Sequence, residues 1–315
     1  MTTPALTKSS SADRAGDKIF STATLVAGCL ILAVLFLVAV FLIVQAFPTF
    51  LADPADLTGG EGFFGYVLPL VVGTLIAAVI ALVIATPISI GVALFISHFA
   101  PRRLAQGLGY LVDLLAAIPS VVYGAWGVAF LAPQLTGVYQ WLAKYLGWIP
   151  IFAPDPHTGV ASNTGRTLLT VGIVLAVMVI PIITSLCREI FLQTPKLHEE
   201  AALALGATRW EMIRVAVLPF GRPGIISAIM LGLGRALGET MAVALVLSAG
   251  PLIASLVITG NQTIAAEIAL NFPEAFGTRL SELIAAGLVL FVITLAVNMI
   301  ARWIISRHKE FSGAN

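Results

Sequence analysis

The sequence predicts an all-α polytopic membrane protein with six transmembrane helices, and three observations carry that prediction. The 315 residues are 59% hydrophobic and 10% charged, with a mean hydropathy of +1.01, whereas soluble domains are about 25% charged. Six apolar runs each reach the roughly 20 residues that a helix needs to cross a bilayer core. Lysine and arginine are also divided unequally: of the 17, thirteen fall in the tail and the alternate connections on one side and three on the other, with Arg235 inside a run. Positive charge is retained on the cytoplasmic side, so both termini are expected in the cytoplasm.

Residues 1–21 are polar and rich in Ser, Thr and Ala, and they read as a disordered cytoplasmic tail. The first apolar run, 22–47, is too long for the core of a signal peptide and lacks a small-residue cleavage site. It is expected to stay as the first span, and with the outer loop it makes a unit over 22–65. A core over 66–306 follows, ending in a cytoplasmic tail at 307–315. The second and third runs, 66–96 and 104–132, contain Pro87 and Pro119, which predict tilt or kinks. Asp113 lies ten residues after Arg103 and is expected to orient the third helix near the cytoplasmic surface. Pro119, Ser120 and Tyr123 place a hydroxyl near a kink, where it can satisfy a freed carbonyl. Residues 139–148, YQWLAKYLGW, carry two tyrosines and two tryptophans, residues that settle at headgroup level, and are placed in the outer interface. The fourth run covers 168–187. Cys29 and Cys187 have neither a disulfide framework nor metal-ligand spacing, so they read as apolar fillers with no metal site.

The connection between the fourth and fifth runs, 188–222, is the most informative segment. Thr194 and Pro195 make an N-cap and first-turn pair for a helix carrying Leu197, Ala201, Ala204 and Leu205 on one face. Gly206 supplies a left-handed stop. Thr208 and Glu211 have the T-x-x-E spacing of a capping box for a second helix, which Pro219 is expected to end. A DNA-reading helix-turn-helix is disfavoured by the short tethers to two spans and by little basic surface beyond Arg209 and Arg214, so no nucleic-acid partner is expected. An amphipathic helix laid into a groove on a cytoplasmic protein accounts for the pattern better than an ordinary surface loop does.

In the fifth run, 225–249, the stretch GLGRALGETMAV puts Arg235 and Glu239 four residues apart, on one face of a continuous helix. Each such charge at a helix centre costs about 2.5–3.5 kcal/mol on insertion scales, so the pair is expected to face the bundle interior or a polar cavity. Two roles stay open, a clasp that orients helices and a polar lining for a small oxyanion. Glycines 232, 234 and 238 leave the backbone uncrowded nearby. In the last outer loop Ile264, Ile268 and Phe272 recur every four residues before Pro273, predicting a short amphipathic helix that packs on the spans or docks an outside partner. The sixth run covers 283–305.

Glu200-Ala201-Ala202, Gly206 and Ala216-Val217-Leu218-Pro219 resemble the EAA loop of ABC importer permeases, whose pattern is EAA-x3-G-x9-I-x-LP. The chain departs once, with Ala216 in place of the usual isoleucine. The resemblance implies a type-1 ABC importer permease fold, with Glu200, Ala201 and Gly206 as the positions that couple to an ATPase. No G-x-x-x-x-G-K-[ST] occurs in the chain, so ATP and Mg are expected on a separate ATPase rather than as cofactors of this chain, which is read as a transport subunit and not an enzyme. GRALGETMAV and AAIPSVVYGAWG at 116–127 are similar to the PstC-like permeases of phosphate-specific transport, whereas sulfate and molybdate permeases tend to have an aromatic where this chain has Thr240. That likeness implies a cytoplasmic-membrane complex importing phosphate. Its partners would be a homologous PstA-like permease, two PstB-like ATPase subunits and an extracytoplasmic PstS-like phosphate-binding protein, with Arg235 and Glu239 in the translocation path. A sulfate- or molybdate-type permease, or an ion-coupled secondary transporter using the same charged pair, remains the alternative.

Overall fold

The computed structural model describes residues 11–248, 250 and 254–307. Among the described residues there are helices and connections but no strand, and six helical segments are long and apolar enough to cross a membrane. The helices in chain order are α1 (Ser11–Leu51), α2 (Gly62–Leu94), α3 (Arg102–Ala116), α4 (Ser120–Trp126), α5 (Ala132–Leu146), α6 (Leu168–Leu192), α7 (Lys196–Ala204), α8 (Arg209–Met212), α9 (Leu218–Leu237), α10 (Met241–Val246), α11 (Ile264–Asn271) and α12 (Thr278–Arg307).

The core is organised around α6. Leu168, Val171, Leu175, Met178, Val179, Ile183 and Phe191 of that helix are all buried. The α2 face against them is a stripe of buried alanines at 77, 78, 81 and 85. Small residues let helix backbones approach closely where lipid provides no hydrophobic drive for association. The Ser89 hydroxyl donates to the Ile180 carbonyl across this contact at 3.0 Å, beside Pro181. On its other side α6 receives α9, where a Cβ added at Gly232 would stand 2.7 Å from Val179 Cγ1. A second cluster joins Ala46 of α1, Val67 and Leu70 of α2, Ile264 of α11 and Ala285 and Ala286 of α12. Much of α1 ahead of Ala46, including Phe20, Leu25, Leu32 and Phe36, is exposed, the surface expected of a helix that faces lipid.

Four features differ from the sequence expectation by more than a few residues at a helix end. First, α1 begins at Ser11, inside the segment read as tail, while residues 1–10 and 308–315 lie outside the described residues. Second, the third run is not one span. α3 is an amphipathic helix that ends at Ala116, and the crossing segment is Ser120–Leu146, made of α4, a wide π turn at Gly127–Leu131, and α5. The cause is Pro119, whose ring disfavours helical backbone in the residue before it; it stands as the N-cap of α4. The Tyr123 hydroxyl donates to the Leu115 carbonyl at 2.9 Å, closing the break as expected. Third, the aromatic segment at 139–148 begins inside the protein. Tyr139 is buried, with its hydroxyl 2.7 Å from Thr170 Oγ1, and of the four aromatics Trp141, Tyr145 and Trp148 are exposed. Fourth, the fifth run breaks. α9 stops at Leu237 and α10 restarts at Met241.

Asp113 does orient α3. It accepts from the Ser185 hydroxyl at 2.7 Å and lies 3.5 Å from the Arg188 guanidinium, both on α6. The predicted short helix in the last outer loop is α11. Its Ile264 and Ala266 are buried and Ile268 packs into the second cluster, whereas Phe272 is exposed.

Candidate functional site

Two regions carry the residues singled out by the sequence: the break between α9 and α10, and the connection α7–α8.

At the break, Gly238 is the C-cap of α9, and its N–H reaches the Gly234 carbonyl at 3.2 Å. Glu239 then leaves the helix and turns inward. It is buried, and its Oε1 accepts from the Ala242 N–H at 3.1 Å, capping the start of α10. The opposite end of α10 is held by Arg166, which donates through Nε to the Val246 carbonyl and through Nη2 to those of Leu245 and Leu247, each at 3.1 Å. A carboxylate at the N-terminus and a guanidinium at the C-terminus both complement the helix dipole. α10 also packs on α4, where a Cβ at Gly124 would meet the Ala242 backbone at 2.7 Å.

Arg235 does not share this environment. It sits in the last turn of α9, is exposed, and makes no hydrogen bond or ion pair among the described residues. The i, i+4 geometry expected for Arg235 and Glu239 therefore fails, because the helix that would have aligned them ends between them. The two are split, with the acid serving α10 and the base on the open face of α9. There Arg235 lines a cavity of about 640 Å³ with Gly234, Met230 and residues of α6 and α12.

The α7–α8 connection keeps most of its expected geometry. Gly206 has φ +88°, and no atom beyond its neighbours would lie within 4 Å of an added Cβ. Backbone conformation, not space, thus reserves the position for glycine. The Gly206 N–H donates to the Leu203 carbonyl at 2.9 Å and the Ala207 N–H to that of Ala202 at 3.2 Å, the paired bonds of a Schellman stop. The capping box is formed in full: the Thr208 hydroxyl accepts from the Glu211 N–H, and the Glu211 carboxylate accepts from the Thr208 N–H at 2.7 Å.

Two details differ. The N-cap of α7 is Pro195, not Thr194, whose buried hydroxyl has no hydrogen-bond partner among the described residues. Pro219 does not end the second helix. A π turn at Ile213–Val217 joins α8 to α9, and Pro219, which has no N–H to donate to the preceding turn, is accommodated directly after that widened turn. The second coupling helix is thus continuous with the fifth span.

α7 is anchored on one side, by Ala202 against the core and by Glu199 3.5 Å from His98, in the π turn Phe95–Phe99 that follows α2. Glu200, Ala201, Leu197, Leu203 and Leu205 are exposed, Leu205 to 90%.

Sequence reasoning missed a charged cluster at the α11 end of the bundle. Arg279 of α12 is 2.7 Å from both Glu282 and Glu267 and lies over the Tyr66 ring. Glu282, 1% exposed, also accepts from the Thr58 hydroxyl at 2.6 Å and the Thr58 N–H at 3.1 Å. The cluster joins the α1–α2 connection to α2, α11 and α12. The Arg279–Glu282 spacing of three residues was the available signal, but Glu267 and Thr58 are distant in sequence.

Residues 85–310 match the family described as binding-protein-dependent transport system inner membrane component. The phosphate transport system permease protein PstC 2 of Mycobacterium tuberculosis is 43% identical over 303 residues, 92% of this chain and 91% of that protein. PstC of Mesorhizobium japonicum is 38% identical over 310 residues, covering 95% and 92% of the two chains. Among solved structures, a bacterial alginate ABC transporter in complex with an alginate pentasaccharide-bound periplasmic protein aligns with a TM-score of 0.63 at 18% identity, over 92% of this chain and 96% of that one. The inward-facing MetNI methionine ABC transporter aligns at 0.53 with 16% identity, over 77% and 94%. These structural likenesses carry the fold, that of type-1 ABC importer permeases.

Proposed function

Because the chain belongs to the family of binding-protein-dependent transport system inner membrane components, we propose that it is the permease subunit of an ATP-driven importer that carries inorganic phosphate across the cytoplasmic membrane. The observation that carries the substrate is the end-to-end likeness to phosphate-system permeases. The observation that supports the drive is the exposed face of α7 with its glycine stop, projecting from a bundle that lacks a phosphate-cradling loop of its own. Both termini face the cytoplasm in this reading, as does α7–α8.

The partners are a PstA-like second permease, two PstB-like ATPases that bind ATP and Mg, and a PstS-like binding protein outside. Glu200, Ala201 and Gly206 form the contact with the ATPase. α8 continues into α9 through Val217 and Leu218, so displacement of α7–α8 is passed directly to the segment that carries Arg235. Arg235 offers guanidinium donors to the passing oxyanion, and Glu239 fixes the break that gives α9 a free end. The cycle is alternating access. The loaded receptor docks, the ATPases close, the path opens outward to take the anion, and hydrolysis returns it inward.

The test is uptake of radiolabelled phosphate by the complete complex in proteoliposomes, with sulfate and molybdate as competitors. Phosphate uptake that depends on ATP and resists both competitors is expected. Deleting 197–206 should uncouple it. An ion-driven carrier would keep transporting without that segment.

A further inference from the structure

The cavity on the open face of α9 has contents that the pathway reading does not use. It is lined by Ile182 of α6, by Ser227, Met230, Leu231, Gly234 and Arg235 of α9, and by Asn298, Ala301 and Arg302 of α12. Two of those residues are arginines and none is acidic. Neither Arg235 nor Arg302 makes a hydrogen bond or ion pair among the described residues, and the Asn298 amide has no hydrogen bond there either. The Ser227 hydroxyl is turned back to the Pro223 carbonyl at 3.0 Å, so the free donors are the two guanidinium groups and the Asn298 amide. Two arginines with no acidic side chain in the cavity lining make its potential positive, and their attraction for an anion is strongest at short range. Arginine's planar fork suits tetrahedral oxyanions in particular. The cavity volume, about 640 Å³, falls within the range of about 300–1,000 Å³ typical of small-ligand sites.

We propose that this cavity is a binding site for a phosphate-class oxyanion, held between Arg235 on α9 and Arg302 with Asn298 on α12. Arg302 is four residues beyond Asn298, so both lie on one face of α12, the face that lines the cavity with Arg235. The ligand has two possible sources, free phosphate in transit and the headgroup of an anionic lipid. Only the first rests on the importer reading. Binding here couples α12 to α9, the helix continuous with α8, so occupancy and the position of α7–α8 influence one another.

The experiment uses the complete complex in two vesicle types, phosphatidylcholine alone and phosphatidylcholine with phosphatidylglycerol, and compares Arg302→Gln, Asn298→Leu and Arg302→Lys with wild type. Assembly is checked by co-elution of the ATPase. Arg302→Gln is expected to lower phosphate uptake at least tenfold in phosphatidylcholine vesicles, Asn298→Leu to lower it less, and Arg302→Lys, which keeps the charge, to retain more. A loss confined to vesicles with phosphatidylglycerol assigns the site to the lipid headgroup. Uptake within twofold of wild type for both Arg302→Gln and Asn298→Leu in both vesicle types overturns the site. A wild type that imports no phosphate overturns the importer reading instead. The site is then decided by binding of radiolabelled phosphate to the purified permease–ATPase complex, where Arg302→Gln must weaken affinity at least tenfold and an unchanged affinity overturns it.

Discussion

Arg235 and Glu239 are adjacent in the helical pattern yet do separate work. Glu239 is buried on the Ala242 N–H, while Arg235 lines a cavity. Arg235→Gln is therefore expected to reduce phosphate uptake at least tenfold while the complex still assembles, measured as transport against ATPase co-elution. Normal uptake would remove Arg235 from the path. The presence of two charges in this run was legible in the sequence, but their separation was not, since four-residue spacing implies a shared face only while the helix continues. Glu282 gives a second residue-scale test. Hydrogen bonds to charged groups contribute about 1.5–3 kcal/mol, and the buried Glu282 accepts from Arg279 and from Thr58. Glu282→Gln should lower the thermal midpoint of the detergent-solubilised complex by several degrees. An unchanged midpoint would mean that the cluster adds no stability.

At the scale of elements, α7–α8 and α10 are held by opposite strategies. α7–α8 depends on backbone geometry. Proline at 206 would lose the N–H that reaches Leu203 and would force φ near −65° where +88° is found. Gly206→Pro should thus abolish coupled ATPase stimulation and co-purification of the ATPase, and intact coupling would argue against docking through this turn. α10 depends on charge at its ends. Arg166→Ala strips donors from three carbonyls, and with hydrogen bonds to charged groups contributing about 1.5–3 kcal/mol it should destabilise the folded complex measurably by thermal unfolding. Gly206 and the Thr208–Glu211 box were readable because their chemistry is local, each satisfied within five residues. The Pro119 break was half readable: proline marked it, but the apolar run continued through it and hid the change from α3 to α4. The break at Gly238 left no such mark, because glycine in an apolar run is compatible with an unbroken helix and the capping carboxylate resembles a buried charge.

At the scale of the whole molecule, the number of spans was legible from apolar length, while the place of the third span and the contacts that fix the bundle were not. The α2 alanine stripe meets α6 across roughly ninety residues of chain, and Thr58 meets Glu282 across 224. Continuity of α8 with α9 connects the turn at the end of α7 to the helix that carries Arg235. The most direct measurement is phosphate uptake into liposomes by this chain alone and by the complete complex, each with and without ATP. Uptake only by the complete complex with ATP is the predicted result. Transport by the isolated chain without nucleotide would contradict the account.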